Sequence, residues 1–373
     1  MSGTAYGTDV NFTSGGLLSS TAYEEGDLLP HLDQDDSNPD IIKDEFDGGF
    51  SSLDAMLQWA IGHSDPAKLK ETAEVQQRLS PSELKRRQAE IKELMEKVKM
   101  PSDAELMKIA INDLNNSSIS LEDRHRALQE LLELVEPIDN ANDLGKLGGL
   151  LAIKQELYNS DPDIRTIAAW ILGKASQNNP VVQQQVLELG VLSKLMKMVK
   201  SNFVEEATKA LYVVSALIGN NLASQELFYA EAGDLMIQDI LRNASIDIRL
   251  QRKALLLLTD LAECQLENVD KAEQPFFSNQ NLLKSVVDLT ASIDLDLKEK
   301  ALVAIKRLLE LKTTEALVFK EFCALGDALN RMRQFLDDLM VDEYQRDHAM
   351  DVESLRKEVE YIFHRKLASA DMS

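Results

Sequence analysis

The stretch DPDIRTIAAWILGKASQNNP (161–180) sets Trp170 and Lys174 one helical turn apart, across from an apolar stripe of Ile164, Ile167, Ala168, Ile171, Leu172 and Ala175. An indole face and an ammonium at that spacing break no bonds. On a face opposite the core they are candidates to contact a partner. Comparable positions recur along the chain when it is aligned on Ala127, Ala168, Ala210, Ala254 and Ala301. The second and sixth residues after each alanine are Gln129/Glu133, Trp170/Lys174, Tyr212/Ala216, Leu256/Asp260 and Val303/Arg307. The residue before each alanine is Arg126, Ile167, Lys209, Lys253 or Lys300, with Thr166 and Arg252 one place further back. Thr166, Trp170, Lys174, Lys209, Tyr212, Arg252, Asp260 and Arg307 form the candidate binding surface. Mixed charge and scattered aromatics suit a folded partner with its own relief. The plainer reading has Trp170 and Tyr212 filling gaps between repeats and the lysines forming an ordinary solvated face.

Bond-making chemistry finds no footing. The chain lacks a glycine-rich phosphate loop, HExxH, GxSxG and paired Cys/His spacings, and KLGGLLAIK does not have the phosphate-loop spacing. His31, His63, His125, His348 and His364 are scattered, and Cys264 and Cys323 are too few for a disulfide scaffold or a cysteine-rich metal site. The expectation is a protein that is not an enzyme and needs no cofactor or metal. A net charge of −23 argues against nucleic acid or anionic lipid as partner. No run reaches the roughly 18 apolar residues of a membrane span.

The elements that must carry these residues are helices. Few Gly and Pro, 5% aromatics and 44% hydrophobic residues predict an all-α chain. The alanine anchors are separated by 41, 42, 44 and 47 residues, and KLGGL, ELGVL and EAGDL punctuate three of the intervals. A wholly helical period near 42 is the armadillo/HEAT signature, so the expected architecture is a right-handed superhelical solenoid with helical N- and C-terminal extensions. The division expected is an acidic, disordered leader (1–48), an N-terminal helical region (49–117), repeats (118–325) and a charged C-terminal cap (326–373). The first 50 residues hold eleven acids against Lys43 alone. Helices are expected over 50–66, with Leu53, Met56, Leu57, Ala60 and Ile61 inward, and over 80–100 behind a capping box at Ser80, Pro81 and Glu83. A further helix from Ser102 would bury Leu106, Ile109, Ala110 and Leu114, and VLSKLMKMVKS would bury Val191, Leu192, Leu195, Met196 and Val199.

In armadillo stacks the longest helix of each unit lines a concave groove. Grooves that read extended peptides repeat Trp and Asn unit after unit to pair a regular backbone. Here Trp occurs once at the second position and Asn never at the sixth. A peptide-ladder groove is not expected.

LEDRHRALQELLELVEPIDNANDLGKLGGL (121–150) resembles the armadillo-type nucleotide exchange factors of the seventy-kilodalton heat-shock chaperones. DNANDLGKLGGL is the most distinctive piece. FSSLDAMLQWAIGHSDP (50–66) is similar to the family's N-terminal element, and the likeness continues through KASQNNPVVQQQVLELGVLSKLMKMV and KALYVVSALI to about residue 320. The resemblance implies a monomeric co-chaperone that grips the ATPase domain of such a chaperone in the groove and promotes ADP release. The alternative is a general armadillo scaffold without effect on nucleotide. The family has cytosolic and endoplasmic-reticulum members. The acidic stretch before Trp59 looks more like the luminal ones after leader removal, so the lumen is expected, with the cytoplasm as alternative; the ending LASADMS is not a retrieval signal. Asn11-Phe-Thr, Asn115-Asn-Ser, Asn116-Ser-Ser and Asn243-Ala-Ser match the N-glycosylation pattern, which has meaning only outside the cytosol.

Overall fold

The computed structural model describes residues 80–98, 101–268, 270 and 273–370. The leader and the helix expected over 50–66 lie outside these residues. Two compact units divide the chain between Leu106 and Met107.

The first unit's described part is α1 (Pro81–Val98) and the start of α2 (Asp103–Asn115). The capping box opens α1: the Glu83 N–H donates to Ser80 Oγ at 3.3 Å and the Ser80 N–H to Glu83 Oε2 at 3.4 Å. Ser102 and Glu105 repeat the device at α2, where the Ser102 N–H donates to Glu105 Oε2 at 2.9 Å.

The second unit is a solenoid that begins inside α2. Sequence periodicity placed Leu106 and Ile109 inward, and this is corrected. The buried set is Met107, Ala110, Ile111 and Leu114, whereas Leu106 is half-buried and Ile109 is 51% exposed. Both sets fit a 3.6-residue stripe. Ile111, packed beside Gly149, selects the rotation.

Long helices then alternate with shorter ones: α3 (Leu121–Leu134), α4 (Ile138–Lys146), α5 (Gly149–Glu156); α6 (Pro162–Ser176), α7 (Pro180–Glu188), α8 (Leu192–Met198); α9 (Val204–Ile218), α10 (Leu222–Ala230), α11 (Gly233–Arg242). In the fourth group α12 (Ile248–Glu267) is followed by a 3-10 turn (Pro275–Ser278) and α13 (Gln280–Leu289). In the fifth, α14 (Leu295–Glu310) is followed by a π-turn (Val318–Phe322) and α15 (Leu325–Leu339), and α16 (Arg346–Ala370) ends the array. Among the described residues there is no strand.

Each long helix packs on the next, giving a ladder of rungs α3–α6–α9–α12–α14–α16, and α11 packs on α13 in a second layer. One continuous core runs through the stack, from Met107 to Phe363. The stripes read from sequence are in it, including Ile164, Ile171, Ala175, Val191, Leu195 and Val199.

The sequence punctuation acts as expected at α6 and α7. Asp161 Oδ1 accepts the N–H groups of Asp163 and Ile164, Asn179 Oδ1 accepts that of Val182, and Pro162 and Pro180 fill first-turn positions that lack an intrahelical partner. In KLGGL and ELGVL the residues at positive φ are Gly148 and Gly190, but in EAGDL it is Ala232 (φ 61°). Gly233 is required for another reason: a Cβ there would lie 2.2 Å from the Phe228 ring.

Candidate functional site

The residues of the candidate surface come together along one face of the ladder, but most are engaged with neighbouring rungs. On α6, Thr166, Trp170 and Lys174 follow one another at four-residue spacing, each half-buried, while Ile167 to Ala169, Ile171 to Gly173, Ala175 and Ser176 are buried. The helix thus has almost no freely solvated surface. Beyond Pro162, Asp163 and Arg165 in its first turns, what remains open is one narrow ridge.

Trp170 is fixed on that ridge by two cations. Lys209 Nζ, from α9, lies 3.2 Å from the ring centroid, and Lys174 Nζ lies 5.6 Å from it. Lys209 is only 7% exposed, so its attraction to the indole acts with little screening. The expectation of a solvated lysine face fails here: the apolar stem and the ring remove Lys209 from water. The indole Nε1 is buried without a hydrogen-bond partner among the described residues, and packing and the two ammonium groups hold the ring. Lys174 also stands 3.9 Å from Glu136, just beyond α3. The Thr166 hydroxyl donates back to the Pro162 carbonyl at 2.7 Å.

One rung further, Tyr212 repeats the theme with Lys253 Nζ 5.8 Å from its ring. Tyr212 rests on Gly173, where any Cβ would come within 2.5 Å of the phenol ring. The glycine is what lets α9 bring an aromatic this close to α6.

Beyond Tyr212 the coupling becomes ionic. Arg252 on α12 places Nη2 2.6 Å from Asp294 and Nε 2.9 Å from Asp296, at the start of α14. Arg307 on α14 reaches back to Glu263 on α12 at 2.7 Å and to Glu310 at 3.1 Å. Lys306 and Glu299 continue the series to α16, through Glu358 at 2.6 Å and His348 at 2.8 Å. Asp260 is half-buried and lines an open trough of about 510 Å³ with Leu256, Glu263, Glu267, Glu299 and Lys300, between the C-terminal ends of α9 and α12 and the middle of α14. Sequence reading placed Arg252 and Arg307 on a binding face; the structure gives each two carboxylate partners within the solenoid.

Other residues that hold the rungs escaped the sequence reading. Gln183 Nε2 donates to the carbonyls of Ser176 (3.3 Å) and Ala216 (2.9 Å), joining the ends of α6 and α9. Gln225 does the same one unit on, to the Ile218 carbonyl (3.1 Å) and the Cys264 sulfur (3.4 Å). On the opposite edge Arg165 chelates Glu206 through Nε and Nη2 and donates to the carbonyls of Asn159 and Ser160. Burial by itself raises the Glu206 carboxyl, but hydrogen bonds from Arg165 and Ser201 outweigh it and hold the group below its ordinary value. The missed signal was distance along the chain. Arg165–Glu206, Arg252–Asp294 and Arg307–Glu263 are 41, 42 and 44 residues apart, one repeat period each.

Among the described residues no group of His, Cys, Asp and Glu could hold a metal ion. Cys264 and Cys323 are free and buried, and burial pushes the Cys323 thiol up to about 11. Among the described residues no helix is long and apolar enough to cross a membrane.

A stack of helical units whose long helices pack rung on rung is an armadillo-type solenoid. Solved structures agree on the fold: a computationally designed armadillo repeat protein for modular peptide recognition aligns with TM-score 0.52 at 15% identity, over 69% of this chain and 99% of its own. A second designed armadillo protein, solved with the peptide (KR)4, gives 0.51 at 15% identity, over 68% and 98%. The chain belongs to the SIL1/FES1/HPBP1 family of nucleotide exchange factors: the model of that family's C-terminal domain matches residues 140–364, and the model of the nucleotide exchange factor Fes1 matches residues 53–144. The Hsp70 nucleotide exchange factor FES1 of Coccidioides immitis is 31% identical over 175 residues, 47% of this chain and 81% of its own. The nucleotide exchange factor SIL1 of Mus musculus is 29% identical over 332 residues, 79% of this chain and 70% of its own.

Proposed function

We propose that this exchange factor acts on an Hsp70-type chaperone by binding its ATPase domain along the rung face of α6, α9 and α12, as a monomer and without chemistry of its own. The observation that carries the reading is Trp170, the aromatic held between Lys174 and Lys209 on an open ridge of a largely buried helix. An anchor of this type, rigid before contact, loses little conformational entropy on binding. The mechanism is linkage. A factor that prefers the nucleotide-free chaperone weakens ADP binding by the same ratio that ADP weakens its own binding, and about 1–3 kcal/mol of such coupling changes affinity roughly 5–150-fold. For the compartment we take the lumen of the endoplasmic reticulum, with the cytoplasm as alternative. The acidic stretch before Trp59 and the length of the match to the mouse SIL1 sequence support it.

The test is stopped-flow release of fluorescent ADP from a purified Hsp70 ATPase domain. The wild-type chain accelerates release with dose. Trp170→Ala and Lys174→Glu, checked for unchanged circular dichroism, lower that acceleration at least several-fold. Unchanged acceleration by both variants moves the contact surface away from α6, while no acceleration by wild type defeats the ATPase-domain reading itself.

A further inference from the structure

Two of the four Asn-x-Ser/Thr segments occupy the same place in the repeat. Asn116 and Asn243 each stand eleven residues before an anchor alanine, Ala127 and Ala254. Each lies on the loop leading into a long helix, α3 or α12, and Asn116-Ser-Ser and Asn243-Ala-Ser are exposed at all three residues.

The two loops are built alike. Asn116 Oδ1 accepts the N–H of Ser118 at 3.0 Å, and Asn243 Oδ1 accepts that of Ser245 at 3.0 Å. A side chain three residues before the anchor then holds the main chain: Arg124 Nη2 donates to the Asn116 carbonyl at 3.1 Å, and Gln251 Nε2 to the Asn243 carbonyl at 3.2 Å. The carboxamide oxygen and the main-chain carbonyl are both occupied. The nitrogen Nδ2 has no protein partner in either loop among the described residues. Asn115, whose sequon overlaps that of Asn116, is instead the last residue of α2. The proposed binding face is elsewhere: Trp170 and Lys174 lie in the C-terminal half of α6, and the trough borders the C-terminal ends of α9 and α12. A bulky hydrophilic group on these loops displaces no core contact and leaves that face open.

We infer that Asn116 and Asn243 are acceptor sites for N-linked oligosaccharide, an inference that rests on the luminal reading above. The donor class is an oligosaccharide joined through pyrophosphate to a membrane lipid. Asn Nδ2 forms a bond to C1 of the first sugar as the C1–O bond to pyrophosphate breaks. The amide gives up one proton, and the lipid pyrophosphate leaves with the bonding electrons. Ser118 and Ser245 supply the hydroxyl that defines the acceptor pattern.

The experiment expresses the full chain in eukaryotic cells behind an added cleavable secretion leader. The protein is recovered from the lumen and treated with peptide:N-glycosidase F in heavy-oxygen water. Peptide mapping is expected to find Asn116 and Asn243 converted to labelled Asp, with one gel-mobility step lost in Asn243→Gln and one in Ser118→Ala. Ser117→Ala, which removes only the Asn115 pattern, keeps both steps. Unlabelled Asn116 and Asn243 in protein recovered from the lumen overturn the assignment. The endogenous protein, fractionated from its own cells, separates the two readings: recovery from the cytosol without oligosaccharide, with labelling in the leader-directed form, defeats the compartment and leaves the acceptor sites standing.

Discussion

Lys209 shows how far a single residue departs from its type. In sequence it is a lysine in a row of basic residues before the anchor alanines. In the structure it is 7% exposed with its ammonium 3.2 Å from the Trp170 centroid. Truncation to alanine removes both a cation–π contact, worth about 0.5–2 kcal/mol, and the packed stem beneath it. Lys209→Ala is therefore expected to lower the urea midpoint and, on the proposed contact surface, to weaken the acceleration of ADP release from the chaperone, because Trp170 loses its support. Lys209→Met, which keeps the stem, recovers more of the stability than of the release rate. Equal recovery of both would show that the charge adds nothing. Several members of the set read from sequence touch the neighbouring rung, which their spacing alone does not reveal. Composition and period give a direction from the helix axis; only the neighbouring rung decides whether Arg252 meets water or Asp294 and Asp296. The apolar stripes of α6 and α8 were legible because burial repeats every 3.6 residues. That of α2 was not, since two stripes fitted and the choice fell to a residue beside Gly149, 38 positions from Ile111.

At the scale of elements, α16 sends one lysine to the end of α14. Lys366 Nζ donates to the carbonyls of Leu309 and Leu311 and to Thr314 Oγ1, at 2.7, 2.5 and 2.8 Å. It thereby caps carbonyls that the terminating helix leaves without partners. Burial lowers its ammonium to about 8, against a partial counter-effect from Glu273. A lysine whose native value is depressed binds fewer protons folded than unfolded once pH passes that value, so its burial penalty is relieved as pH rises from about 8 towards 10.5. Lys194 and Lys298 are shifted in the same direction, also by burial. The Cys323 thiol, raised from 9.0 to about 11, opposes them above pH 9. Stability measured by urea titration is accordingly expected to rise between pH 8 and 9, and Lys366→Met to flatten part of that rise. An identical slope in the variant would assign it to other groups. The charge of 326–373 and its break in period are legible in the sequence. The lysine's partners are not, because Leu309 and Thr314 are 57 and 52 residues away and offer ordinary backbone and hydroxyl groups.

The solenoid as a whole is a one-dimensional array, in which each rung is stabilised by its immediate neighbours. Removing residues 346–373 strips α14 and α15 of Val352, Val359 and Phe363, buried side chains that contribute roughly 1.5–3 kcal/mol each. It also deletes the Lys306–Glu358 and Glu299–His348 bridges. Hydrogen exchange is expected to quicken over α14 and α15 in the truncated chain while α6 and α9 keep their protection. Uniform loss of protection would mean that the stack unfolds as one body. The period that makes this array was the most legible feature of the sequence, carried by alanines and turn residues that recur every 41 to 47 positions.

The rung-to-rung pairs bear on how such a face can evolve. Trp170 with Lys209, Tyr212 with Lys253, Arg252 with Asp296, and Arg307 with Glu263 each join two helices on the proposed binding face. A mutation that retunes one member for a different chaperone removes a contact the other makes across the rungs, and the packing between the two helices must readjust. Adaptive paths across this surface therefore run through two-step changes, and the descendants of such a protein inherit covarying residues one repeat period apart. New specificity arises more readily at Thr166, Leu256 and Val303, half-buried positions on the same rungs that belong to none of these pairs.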